Sequence, residues 1–231
     1  MNPIQPVIYR LPADTVRLLL SGLGFHGLYG YLPEQPAGRQ RSIACIAALL
    51  RQGLAENTGT HLALDAALRD CLLCMARAKR VFRVQRPPFP QPDCCLYPCG
   101  ARVLMVNRLP VQPGKPPLLR LHLLAFEALW ATLQDENPVL EPPAFPFPFE
   151  GTGPLPDPLP PPGAQPLPGE QFRITVHSAD GLFLCFLAVV RTESRLLLYR
   201  SNGNLLEAQP CLPESVPAFL EEWKEPPHDF G

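Results

Sequence analysis

Cys71-Leu72-Leu73-Cys74, followed by Cys94, Cys95 and Cys99, is the arrangement in this sequence with metal-like spacing. Structural zinc sites usually carry their ligand pairs in knuckle turns, whereas Cys71 and Cys74 fall inside an apolar helical run with leucines between them. Cysteine also packs as a small hydrophobe, which accounts for Cys45, Cys71, Cys185 and Cys211 without any ligand. A redox role for Cys71 and Cys74 would need a helix N-terminus to hold a thiolate, and the pair lies mid-helix. No metal site and no other cofactor is therefore expected. In a reducing compartment the eight cysteines are expected as free thiols.

The remaining polar residues offer no catalytic constellation. His26, His61, His122, His177 and His228 are scattered, and none forms a motif with a nearby Asp or Glu. There is no HExxH, no GxSxG elbow, no Walker loop and no GxGxxG turn after a strand. Ser21-Gly22-Leu23-Gly24 is a helix stop, because an aromatic loop follows it rather than a phosphate-binding helix. Acidic residues occur mostly singly or at helix ends, as at Glu221-Glu222, where a solvated face is the expected reading. A non-enzymatic protein is the expectation.

Two binding chemistries remain. Arg69, Arg77, Lys79, Arg80, Arg83 and Arg86 could line one surface, and three helices before a strand pair would permit a winged-helix-like nucleic-acid module. Such a helix should offer polar side chains to base edges, and residues 62–79 have few. Phe145, Phe147 and Phe149 alternate with Pro146 and Pro148. A stiff stretch of this kind loses little entropy on docking into an aromatic groove of a partner; equally, its rings could fold back onto their own chain.

The elements that must position these residues follow from periodicity. Helices are predicted over residues 11–22, 39–54 and 62–79. In the second, Ile43, Ile46, Ala47, Leu50 and Leu54 form one apolar stripe; in the third, Leu64, Leu68, Cys71, Leu72, Met75 and Ala76 share a face. Strands are predicted over 81–84, 95–98 and 102–108, and a strand end runs into a helix over 118–134. Further strands fit 172–177, 182–191 and 195–200, with a turn at 201–204 and a last helix over 213–224 that packs through Val216, Phe219, Leu220 and Trp223.

Residues 137–169 are of another kind, rich in proline with scattered phenylalanine, and are predicted as a disordered or polyproline-like linker. The two sides of it look alike. Phe82-Arg83-Val84 and Phe172-Arg173-Ile174 open each unit, Arg102-Val103-Leu104-Met105 parallels Arg195-Leu196-Leu197-Leu198, and each unit closes on a helix carrying Trp130 or Trp223. The expected fold class is α+β with two related lobes, each of antiparallel strands plus helices. Residues 1–136 would hold an N-terminal helical segment and the first lobe, and residues 170–231 the second. Any two strand-strand-helix units share some of this likeness, so the duplication stays open.

Composition narrows the class further. The chain has 231 residues, 46% hydrophobic and 18% charged, which suits a globular protein, and 32 prolines, which require long irregular segments. A net charge of −1 gives no field to gather polyanions or anionic lipid. The most apolar run, residues 181–190, is shorter than the ~20 residues that span a bilayer. The start, MNPIQPVIYRLP, lacks the basic and apolar regions of a signal peptide. A cytoplasmic protein is expected, with no membrane partner and nucleic acid disfavoured.

Three passages resemble the EspG family, cytosolic chaperones associated with ESX (type VII) secretion. They are RSIACIAALLRQGLA (41–55) with LALDAALRDCLLCMA (62–76), the strand VFRV (81–84), and LLLYRSNGNLLEAQPCLPESVPAFLEEW (196–223). The resemblance implies two related α+β lobes around a sheet, and a partner that is a helical secreted protein bound at its tip before export. The sequence departs from that family in its cysteines and its proline-rich insertion, and no binding residue transfers by motif. The combined expectation is a protein-binding chaperone or adaptor; the alternative is a winged-helix-like nucleic-acid-binding regulator.

Overall fold

Stretches that alternate in polarity pair into one nine-stranded antiparallel sheet, in a computed structural model that describes residues 7–25, 38–87, 93–109, 117–136, 166–192, 196–202 and 205–224. The strands are β1 (Val7–Pro12), β4 (Arg80–Gln85), β5 (Cys94–Cys99), β6 (Arg102–Leu109), β7 (Leu118–Ala125), β8 (Glu170–Ser178), β9 (Phe183–Arg191), β10 (Leu196–Asn202) and β11 (Leu205–Pro210). A two-stranded hairpin, β2 (Ala55–Asn57) and β3 (Leu62–Leu64), stands apart from it. The helices are α1 (Ala13–Gly22), α2 (Arg39–Arg51), α3 (Ala66–Arg77), α4 (Leu129–Glu136) and α5 (Ser215–Glu222). The fold is α+β, and no helix among the described residues is long and apolar enough to cross a membrane.

Across the sheet the order is β1-β7-β6-β5-β4-β8-β9-β10-β11. The β4-β5-β6-β7 meander ends in α4, and the β8-β9-β10-β11 meander ends in α5. Their first strands pair antiparallel at the centre, with Phe82 opposite Val176 and Val84 opposite Ile174. Period-two alternation sends successive side chains to opposite faces. On one face, Val81, Cys95, Tyr97, Leu104 and Leu121 meet α1 and α3. On the other, Phe82, Leu96, Met105, Ile174 and Leu187 meet α4 and α5 across both meanders in a single core. Each such buried side chain contributes about 1.5–3 kcal/mol. A smaller cluster, Leu167, Phe186, Ala188, Val190 and Tyr199, lies on the α1–α3 face of the second meander.

Local chemistry explains where the helices stop. Gly24 (φ +84°) and Gly53 (φ +68°) adopt the left-handed conformation just past α1 and α2. The next residues, Phe25 and Leu54, donate back to the carbonyls of Leu20 and Leu49, the paired pattern that closes a helix C-terminus. The second helix therefore ends at Arg51 rather than at 54. The third begins at Ala66 rather than at 62, because residues 62–64 pair with 55–57 and Asp65 caps the helix through the Leu68 N–H, 2.9 Å away.

β1 and β11 go beyond the predicted elements: residues 7–10 and 205–210 have no predicted element, and residues 11–12, predicted as the start of the first helix, end β1. Both are edge strands, paired on one side only. Most of the predicted linker, residues 137–165, lies outside the described residues. Its last stretch is packed, with Leu167 buried.

Candidate functional site

On the α1–α3 side, the helices form two tiers. α3 lies against β5, β6 and β7, buries Leu68, Cys71, Leu72, Cys74 and Met75, and is tied to β6 by the Asp70–Arg102 ion pair at 2.9 Å. α2 packs chiefly on α1 and β2 and is the outer tier. Of its thirteen residues only Leu49 is fully buried. The apolar stripe expected along α2 is not the side the helix buries: Leu49, outside that stripe, is the buried residue, while Ile43 is 59% exposed and Leu50 38%.

Beside that stripe is a cavity of about 560 Å³, open to solvent. Leu18 of α1 and Leu23 just past it, Ile46 of α2, and Leu62 and Leu64 of the hairpin make its walls, and His61 and Arg69 stand at its rim. Ile46 belongs to the same helical face as Ile43 and Leu50, since residues three and four apart on a helix are neighbours. Groove and stripe are therefore one apolar surface.

The α2 edge of this surface is basic, while Glu56 of the hairpin and Asp65 before α3 are exposed carboxylates nearby in the chain. α2 contains Arg39, Arg41 and Arg51 and no acidic residue. Arg41 reaches Asp14 of α1 at 3.3 Å. Among the described residues no ion pair engages Arg39, Arg51 or Arg69. His61 Nδ1 lies 3.1 Å from the Thr58 hydroxyl and 3.0 Å from the Thr60 hydroxyl, which fixes the tip of the hairpin. Among the described residues the hydrogen bonds of this imidazole are to Thr58 and Thr60, and none is to a carboxylate. What the surface can do is bury apolar side chains of another molecule and attract negative charge around them.

The candidate cysteines divide between the two faces of the sheet, four on the α1–α3 side and one on the other. Cys71 and Cys74 face the core on α3, Cys95 and Cys99 project from the sheet to that same face, and Cys94 points to the opposite one. Cys74 Sγ donates to the Tyr97 carbonyl at 3.4 Å. Burial pushes the thiols of Cys71 and Cys95 up to about 12. The Cys74 thiol is held high first by its hydrogen bond with Cys99 and then by burial. Among the described residues no group of three or more His, Cys, Asp or Glu side chains is placed to hold a metal ion.

The basic set read from the sequence does not share one surface. Arg80 lies over the Trp223 ring at 5.0 Å, on the α5 side of the sheet. Arg83 lies on the other side, on the same face as Cys95 and Thr175, with which it pairs across the strands. Arg86 pairs with Asp93 at 2.9 Å. Phe145, Phe147 and Phe149 lie outside the described residues. Comparison of the chain with models of protein families gives no match, and comparison with curated proteins gives none either. The groove was not visible in the sequence, where spacing marked α2 as amphipathic without showing that part of its apolar side lacks cover.

Proposed function

We propose that this protein is a non-enzymatic, cytoplasmic adaptor or chaperone that binds a helical segment of another protein. The observation that carries the reading is the position of Ile43 and Leu50, left at the surface beside an apolar groove. An isolated exposed leucine means little, but a contiguous apolar patch rimmed by polar residues marks an interaction surface. A helix is about 10 Å across and offers rows of side chains that fit between two others. The space bounded by α1, α2 and the hairpin suits it. The resemblance to EspG chaperones supplies the export role within this reading, with a type VII substrate as the partner. The scatter of Arg80, Arg83 and Arg86 favours a protein over a nucleic acid.

The two meanders are, in the same reading, related lobes. Support comes from their matching order about the β4–β8 pair and from their closing helices, which lie on one face. Phe126 and Trp130 recur at the same spacing as Phe219 and Trp223. Residues 137–169 would then be the linker between the lobes.

The test compares the full chain with Ile43→Asp and Leu50→Asp variants as bait in native cytosol, after circular dichroism has shown that the variants fold. One protein should be captured by the parent and lost from both variants, and its purified form should bind the parent directly. Capture profiles that do not change with either substitution would count against the groove.

A further inference from the structure

We infer that the occupant of the α2 groove is an acidic amphipathic helix of a different protein, with carboxylates flanking its apolar stripe. This rests on the reading of the groove as a docking surface and adds the chemistry of what fills it. The argument is charge complementarity. Arg39 and Arg51 sit at the two ends of the exposed stripe and Arg69 at the rim of the groove, and none is engaged by an ion pair among the described residues. The first 79 residues hold eight Lys and Arg against five Asp and Glu, although the whole chain is net −1. Positive charge is thus gathered on the part of the chain that carries the apolar surface. Flanking cations of this kind steer encounter and reject like-charged partners more than they add affinity.

The same charges argue against a second copy of this chain. A two-fold dimer sets one patch against itself, so closing α2 on its twin would bring the arginines of both copies around one apolar seam with no acidic residue of α2 to meet them. A flat bilayer surface is a poorer fit as well. The walls formed by Leu18, Leu23, Leu62 and Leu64 enclose a concavity, which protruding side chains fill and a planar interface does not.

Fluorescence anisotropy with two labelled designed peptides tests this on the full chain. Both peptides are about 18 residues long, enough for a helix of ~27 Å, and share one Leu/Ala face. One has Glu at the flanking positions and the other Lys. The Glu peptide should bind at least about tenfold more tightly, a gap of about 1.4 kcal/mol. That gap should shrink as salt rises from about 0.05 to about 0.5 M. An Arg39→Glu/Arg51→Glu variant should reverse the preference. Equal binding of both peptides, abolished by Ile43→Asp, would overturn the charge inference and leave the groove standing as a docking site. No binding of either peptide, or binding indifferent to Ile43→Asp, would overturn both. Two further outcomes also overturn the inference: a dimer in sedimentation that Ile43→Asp dissolves, or α2-dependent binding to phosphatidylglycerol vesicles without binding to the Glu peptide.

Discussion

The hydroxyl of Tyr9 donates to the carboxylate of Asp65, which also accepts the Leu68 N–H at 2.9 Å. One side chain therefore fastens edge strand β1 to the first turn of α3, although the two residues are 56 positions apart. The contact contributes to both ionisations. Burial and then the bond to Asp65 hold the Tyr9 phenol above its ordinary range. The bonds from Tyr9 and from the Leu68 N–H hold the Asp65 carboxyl below its own. Because α3 bears Arg69, the same bond helps to place the rim of the groove.

Replacing Tyr9 by Phe should cost about 0.5–1 kcal/mol, the lower part of the range for a hydrogen bond to a charged or neutral partner, because Asp65 is exposed to solvent. A carboxyl whose pKa is depressed by folding stabilises the fold above its unfolded value of about 3.9 and loses that contribution as pH falls through the folded one. The parent should therefore lose more stability than Tyr9→Phe between about pH 5 and about pH 2. Urea unfolding of the two proteins across that window checks it; parallel curves would show that the bond carries no stability.

A second pH dependence is expected at His177. Its ring lies between Thr175, 3.0 Å from Nε2, and the Gly181 carbonyl, 3.3 Å from Nδ1. Burial lowers its pKa foremost; the Gly181 carbonyl opposes that shift, and the charge of Arg83 adds to it. Protonation thus favours the unfolded chain. The contribution of His177 is present above about pH 6.5 and is lost as pH falls from there through the lower folded pKa. NMR titration of the His177 ring should give a midpoint below the free value, and His177→Gln should flatten the loss of thermal stability on acidification. A midpoint at or above that of free histidine would refute the assignment.

Buried charge makes the start of β8 vulnerable. Arg173 meets Glu170 at 2.7 Å with side chains 4% and 0% exposed, and Glu170 also accepts the Leu167 N–H at 2.7 Å. Breaking one member of such a pair leaves the other charge uncompensated, so Glu170→Gln or Arg173→Met should each cost about 3–5 kcal/mol. The double substitution should cost less than the sum of the two, because no buried charge is then left alone. Next to it, Gly169 has φ +76°, and a Cβ there would stand 2.1 Å from the Arg191 carbonyl oxygen. Gly169→Ala should therefore destabilise by more than about 1 kcal/mol. Denaturant midpoints of the four variants test these values.

Much of the fold could be read where pattern and pairing agree. Residues 80–85, 102–109 and 183–191 alternate in polarity or form continuous apolar runs, and all are strands with partners on both sides. Pattern failed where the partner decides the structure. Val7–Pro12 and Leu205–Pro210 are strands because β7 and β10 offer free edges to them. Leu62 and Leu64 continue the helical spacing of α3, yet the turn before them closes a hairpin that claims them. The groove was hidden for a related reason. Spacing shows which side of α2 is apolar, but only the arrangement of α1 and the hairpin shows how much of that side is left uncovered.

Thiol reactivity provides a check on the core that does not depend on the groove. Cys71, Cys74, Cys94, Cys95, Cys99 and Cys185 are buried, whereas Cys45 and Cys211 are half-buried. Attack on a disulfide reagent requires the thiolate. Burial pushes Cys71, Cys95 and Cys185 up to about 12 and Cys211 up to about 11. At pH 8 a thiol with a pKa near 12 is ionised about a thousandfold less than an ordinary one. The folded protein should therefore show a fast phase from half-buried Cys45 and a slower one from half-buried Cys211, and the six buried thiols should react only as quickly as the chain opens. Urea should expose all eight at once. A Cys45→Ser variant removes the fast phase if the assignment is right. Rapid native reaction of Cys71 or Cys74 would mean that α3 does not pack against β5 as described, and the rim of the groove at Arg69 would have to be redrawn with it.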